Sequence, residues 1–176
     1  MHYIEMNNSI KIPQIGLGVY KSADGNETIN SVKWALEAGY RHIDTAKMYG
    51  NEKSVGEGVR ASGIPRSEVF ITTKLWNDDV RAGRTKEAFF ESLNALGTDY
   101  IDLYLIHWPA EGYEKAWHEM EELYKAGKIR SIGVSNFQQN HIEHLMEISN
   151  IMPALNQVES HPYFNNQELI DYCFKK

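Results

Sequence analysis

Short apolar runs return along this chain roughly every 24 to 33 residues, each followed by a loop and then an amphipathic stretch. That spacing is close to the ~30 residues of one strand–helix unit. Six runs can be read: Gln14–Gly18, His42–Asp44, Val69–Thr73, Ile101–Ile106, Ile129–Val134 and Ala154–Val158. They are short and mostly unbroken, as expected of parallel strands covered on both faces. Between them, Glu27–Ala38, Lys86–Leu96, Tyr113–Ala126, His141–Ser149 and Asn166–Phe174 carry apolar residues near helical spacing. The first three stop at Gly39, Gly97 and Gly127, residues suited to a left-handed helix end. Glu52–Ser62 is a weaker helix because it contains two glycines. Ahead of the first unit, Tyr3–Met6 and Ile10–Ile12 flank Asn7-Asn8-Ser9, a hairpin signal.

Strand and helix in alternation make this an α/β chain built on a parallel sheet. Periodicity alone leaves open whether the sheet is a (β/α)8 barrel or an open doubly wound sheet. The count is a constraint of its own. A closed barrel needs eight strands and typically ~250 residues, whereas six units are visible in 176 residues. The chain is truncated, or it lacks a missing or cleaved C-terminal part, or its sheet is open and complete. Because unpaired parallel edges expose a core meant to be covered, one of the first two is expected. No composition shift marks a second domain, so residues 1–176 are expected to form a single domain.

Bulk properties exclude several functions. The net charge is −6 and no long basic run occurs, which argues against a nucleic-acid surface. A single cysteine, Cys173, can form no intramolecular disulfide and fits a reducing cytosol. The N-terminus lacks the charged start and apolar core of a signal peptide, and no apolar run approaches the ~18 residues of a membrane span. A cytoplasmic protein with no membrane partner is expected.

Four side chains stand where such a sheet places its chemistry. Asp44 ends the second run, Lys74 follows the third, His107 ends the fourth, and Tyr49 lies in the loop after Asp44. The carboxyl ends of parallel strands share one face, so the four would converge there. They suit carbonyl reduction. Hydride addition leaves an alkoxide that must receive a proton, and a free phenol with a pKa near 10 is a reluctant acid. Lowering it by about three units requires roughly 4 kcal/mol, about what one ammonium ~4 Å away supplies at an effective dielectric of 20. Lys74 can be that ammonium, Asp44 can hold it charged, and His107 can position the carbonyl oxygen. Taken singly, each has an ordinary alternative: a strand-end Asp caps helices, and an Asp–Lys pair is commonly a surface bridge.

The segments GLGVYKS, GYRHIDTAKMYGNEKSVGEGVR, ITTKLW, LIHWP, GKIRSIGVSNF and PALNQVESHPYF, in this order, cover essentially the whole chain. Together they resemble the aldo-keto reductase family, nearest its small bacterial members similar to glyoxal, methylglyoxal or 2,5-diketo-gluconate reductases. The resemblance implies a (β/α)8 barrel with an N-terminal hairpin, and NADPH bound without a Rossmann fold. It also implies a catalytic tetrad of Asp44, Tyr49, Lys74 and His107, with Tyr49 as general acid, acting on small aldehydes and ketones. Ser135, Asn136 and Gln157, with Asp44, would then meet the cofactor, the first three at the nicotinamide carboxamide. From the residues alone, Ser135 or Asn136 reads as a helix cap. Tyr20, Trp76 and Trp108, with His107, would line the substrate pocket, which Met48 would narrow; otherwise they anchor loops over the barrel rim.

Other signals are weak. Gly16-x-Gly18 lacks the third glycine of a dinucleotide fingerprint. His141 and His144, near Glu143 and Glu147, read as a solvated helix face rather than a metal site. His42 and His161 read as structural, and Cys173 as core. Lys47 and Ser160 are oddities within otherwise regular motifs. The family's seventh and eighth units, which carry its main contacts to the pyrophosphate and 2′-phosphate, are not found. Two functions therefore stand: an NADPH-dependent carbonyl reductase, monomeric at full length, or an impaired remnant stabilised by self-association.

Overall fold

The computed structural model describes residues 2–176. Two short strands open it, β1 (Tyr3–Glu5) and β2 (Lys11–Pro13), paired antiparallel with Ile4 opposite Ile12. Ser9 turns the hairpin in the left-handed region, φ 64°. Asn8 Nδ2 donates to Arg130 O at 3.0 Å and to Ser131 Oγ at 2.9 Å, and Asn7 Nδ2 donates to Pro153 O at 2.9 Å. These bonds fasten the hairpin under the amino ends of the later strands.

Six parallel strands follow: β3 (Leu17–Gly18), β4 (His42–Asp44), β5 (Phe70–Leu75), β6 (Ile101–Ile106), β7 (Ile129–Ser135) and β8 (Asn156–Gln157). They lie side by side in chain order. A doubly wound sheet reverses its order at a switch point. Here no reversal occurs, so the architecture is a partial (β/α)8 barrel of six strand–helix units. The helices are α1 (Asn26–Glu37), α2 (Glu52–Ala61), α3 (Asn77–Arg81), α4 (Thr85–Leu96), α5 (Tyr113–Lys125), α6 (Gln139–Ile148) and α7 (Gln167–Phe174). The edge strands β3 and β8 are shorter than the apolar runs that predict them, because each has one neighbour and pairing stops where that partner's register ends. An apolar groove of about 830 Å³ lies beside β8, between the hairpin, α6 and α7.

Period-two alternation builds two cores from one sheet. Phe70, Leu103 and Leu105 point inward, where Met6, Ile10 and Ile12 of the hairpin segment cover them. Ile71, Leu75, Tyr104, Ile106 and Val134 point outward against helix residues such as Phe89, Trp117 and Met120. The glycines of α2 have a packing reason. A Cβ on Gly56 would overlap the Leu96 carbonyl, and one on Gly58 would fall 2.8 Å from Ile29 O, so α2 can lie flat against its neighbours only without side chains there.

Candidate active site

The same alternation aims the polar residues. Register pairs Gly18 with Asp44, Asp44 with Thr72, Lys74 with Leu105, and Ser135 with Gln157, so all of these face inward near the carboxyl ends. Lys74 lies inside β5 rather than after it, since that strand continues to Leu75. Its side chain is 1% exposed, and its Nζ donates to Asp44 Oδ1 at 2.6 Å and to Thr45 O at 2.9 Å. The Tyr49 hydroxyl is 3.4 Å from the same ammonium. The other carboxylate oxygen of Asp44 accepts from Gln157 Nε2 at 2.8 Å, which joins the second strand of the sheet to the last.

Tyr49 ends a single 3-10 turn, Lys47–Tyr49, closed by Gly50 in the left-handed region at φ 70°. Its ring lies 5.0 Å from Tyr20 and 5.8 Å from His107, centre to centre, and His107 lies 5.2 Å from Trp76. The structure therefore brings Asp44, Tyr49, Lys74 and His107 together, with Tyr20 and Trp76 as aromatic walls. Tyr20, Trp108 and Met48 are all largely exposed, at 58%, 47% and 39%.

Ser135 and Asn136 do not cap the next helix. That helix begins at Gln139, and the Gln138 N–H is met by His141 Nδ1 at 3.2 Å. Asn136 instead adopts a left-handed backbone, φ 61°, and its Nδ2 donates to His107 O at 3.0 Å and to Ser135 Oγ at 3.1 Å. Ser135 Oγ donates to Gln157 O at 3.0 Å. Strained backbone of this kind persists where the surroundings over-determine it, as at binding sites. Asp44, Ser135, Asn136 and Gln157 line one cleft of about 600 Å³ together with Gly18 and His42. Sequence reasoning missed His42 as a cleft residue; its ring is held by Thr72 Oγ1 at 2.9 Å and pressed on by Gly16, where a Cβ would fall 2.6 Å from Nδ1. Its sequence signal, a polar residue two before Asp44 on the same strand face, was available.

The electrostatics overturn one expectation. Lys74 does not acidify Tyr49 here. Burial, then Asp44, then Tyr20 push the phenol up to about 12. The physical reason is that half-burial penalises the charged phenolate, and the Asp44 carboxylate repels it further. Burial likewise pulls Lys74 below its ordinary range, with Asp44 pulling back. His107 is pushed down to about 4 by burial and then by Lys74, against Asp44, so its ring is neutral at ordinary pH.

Elsewhere, no group of three His, Cys, Asp or Glu side chains could hold a metal among the described residues. No helix among them is long and apolar enough to cross a membrane.

Comparison with known proteins agrees with this geometry. The family model described as Aldo/keto reductase family matches residues 14–176. A glyoxal reductase of Bacillus subtilis is 51% identical over 171 residues, covering 97% of this chain and 62% of that relative. This chain thus spans about three fifths of the curated relatives it matches. A Brucella melitensis aldo/keto reductase crystal structure superposes with TM-score 0.95 at 45% identity, covering 99% of this chain and 69% of that one. A Bombyx mori aldo-keto reductase in complex with NADP gives 0.90 at 39% identity, with 99% and 63% covered. Matched over nearly its whole length both in sequence and in fold, the chain belongs to the aldo/keto reductase family.

Proposed function

We propose that the full-length protein is an NADPH-dependent oxidoreductase that reduces small aldehydes and ketones in the cytoplasm, with Tyr49 as general acid. The observation that carries this reading is the buried Lys74 ammonium, in contact with both Asp44 Oδ1 and the Tyr49 hydroxyl. The cleft chemistry fits a nicotinamide carboxamide. Ser135, Asn136 and Gln157 direct their donors at protein acceptors, which leaves Asn136 Oδ1 and Gln157 Oε1 without protein donors among the described residues. Two free acceptors suit an NH2 group and would fix which ring face meets the substrate. The preference for NADPH rests on the family resemblance and on the NADP-bound Bombyx mori relative.

Bound NADPH would supply the hydride for the carbonyl carbon and become NADP+. Tyr49 donates its hydroxyl proton to the carbonyl oxygen, completing the alcohol, and is reprotonated from water. A phenol near 12 remains competent for this. An alkoxide is far more basic than a phenolate, so it takes the proton downhill even from a phenol raised to about 12. Neutral His107 donates a ring N–H to the same oxygen and orients it. Lys74, 3.4 Å from the hydroxyl, stands ready to stabilise the transient phenolate, while Asp44 holds Lys74 and Gln157 in register. Tyr20, Trp76 and Trp108 wall the substrate.

The test is Tyr49→Phe in the full-length protein. Reduction of methylglyoxal and other small carbonyls should fall by at least 10²-fold, within the range of acid–base catalysis, with NADPH affinity by fluorescence titration little changed. An unchanged turnover number would end the assignment of the acid.

A further inference from the structure

Lys47 has no part in the chemistry above, yet it opens the turn whose last residue is Tyr49. Its Nζ lies 2.8 Å from Asp79 Oδ2 in α3 and 2.7 Å from Glu91 Oε2 in α4. The Lys47 side chain is 25% exposed and that of Asp79 10%, so solvent screens this pair less than an open surface bridge. Arg84 braces the far side, with Nη2 at 2.8 Å from Glu91 Oε1 and Nη1 at 3.9 Å from Asp79 Oδ1. Two cations and two anions therefore share one network, in which each side chain is already restrained by another.

The turn is closed at its base, where Thr45 Oγ1 donates to Asn51 Oδ1 at 2.8 Å between fully buried residues, but its outer side rests on Lys47. Ala46, which precedes it, makes no side-chain cap, and the backbone bonds from Tyr49 N to Ala46 O and from Gly50 N to Lys47 O stay within the turn. The phenol itself is held only by a long 3.4 Å contact and by ring packing. Asp79 sits two residues into the helix that starts directly after Trp76. The ion pair thus ties the wall bearing Tyr49 to the wall bearing Trp76, and the His107 ring lies between them.

We propose that Lys47 is a positioning residue for Tyr49, its ion pairs with Asp79 and Glu91 fixing the 3-10 turn so that the phenol meets Lys74 and His107 in productive geometry. This rests on the reading of Tyr49 as the acid. In the full-length protein, Lys47→Met should lower kcat about tenfold, the scale on which sub-ångström misplacement is felt, with KM and NADPH affinity within about twofold. Glu91→Gln, at a half-exposed helix position where folding is not at risk, should lower kcat about twofold in the same pattern. In a Tyr49→Phe background, Lys47→Met should remove nothing further from the residual rate. If Tyr49→Phe is inactive while both Lys47→Met and Glu91→Gln keep full kcat, the positioning role is overturned and the acid assignment stands. A Lys47→Met loss that repeats in full on Tyr49→Phe also overturns it, because the effect would not pass through the phenol. Full activity of Tyr49→Phe alone instead brings down the underlying reading.

Discussion

His107 offers a test that needs no substrate. Burial holds its pKa at about 4, against an ordinary 6.5. Above pH 6.5 the ring is neutral in both the folded and unfolded chains, and the stability linked to it is fully present. As pH falls below 6.5 the unfolded chain takes up a proton that the folded chain refuses, so stability declines until both are protonated below about 4. A gap of about 2.5 pH units corresponds to about 3 kcal/mol, and water at the cleft mouth reduces this to about 2. Urea unfolding of the protein and of a His107→Gln variant at pH 7.5 and 4.5 isolates the effect, because the other groups titrate in both. The parent should lose about 2 kcal/mol more than the variant between the two pH values. Equal losses, or an NMR midpoint for the His107 ring near 6.5, would refute the argument. The same neutrality means that His107 cannot be a proton donor at working pH, so the rate should show no histidine titration between pH 5 and 8.

Three further changes probe the scaffold and the site. Lys74→Met leaves Asp44 with the Gln157 amide as its remaining side-chain donor, and should cost about 3 kcal/mol in denaturant unfolding and abolish reduction; unchanged stability would contradict the buried pair. Asp102, 2% exposed at the amino end of β6, accepts from Arg66 at 2.7 Å, Arg130 at 2.8 Å and the Ile71 N–H at 3.0 Å. Asp102→Ala should therefore cost about 3–5 kcal/mol while leaving kcat per folded molecule intact, and a kcat defect at full stability would disprove the separation. Tyr104 is wholly buried with its hydroxyl unpaired, so Tyr104→Phe should be neutral or up to about 1 kcal/mol stabilising by thermal melt; a clear destabilisation would reveal a partner for that oxygen.

The alternation of parallel strand and helix was legible because the apolar runs of the central strands are unbroken and regularly spaced, whereas the choice of barrel over open sheet came only from the family resemblance. The site showed in the sequence as charged residues at the carboxyl ends of such runs: Asp44 ends one and Lys74 follows another, and in the structure each is tolerated only because it is paired. What escaped the sequence depends on three-dimensional context. Helix α3 is five residues long with two aspartates, too short to show a helical stripe. The partners of Lys47 lie 32 and 44 residues away on other elements. Counting the Lys74 ammonium near Tyr49 predicts an acidic phenol, but sequence carries neither the half-burial of the ring nor the repulsion of a phenolate by Asp44.

The arrangement also shows where the accuracy of such a site originates. Along β5, Lys74 turns inward to Asp44 while its neighbour Thr73 turns outward and donates to Glu52 Oε1 at 2.5 Å, at the head of α2. After β4, Asp44 turns inward while Thr45 donates outward to Asn51 Oδ1 at 2.8 Å. Asn51, itself fully buried, donates to Val19 O at 2.9 Å and to Ser22 O at 3.1 Å, on either side of Tyr20. Asp44 and Lys74 are thus each adjacent in sequence to an outward threonine, locked between sheet and helices where water does not compete. Such outer contacts restrain the backbone from which a catalytic side chain projects, and fix it more firmly than bonds within an open cleft can. Strand alternation therefore does two things at once: it aims the reacting groups, and it supplies their anchors on the opposite face.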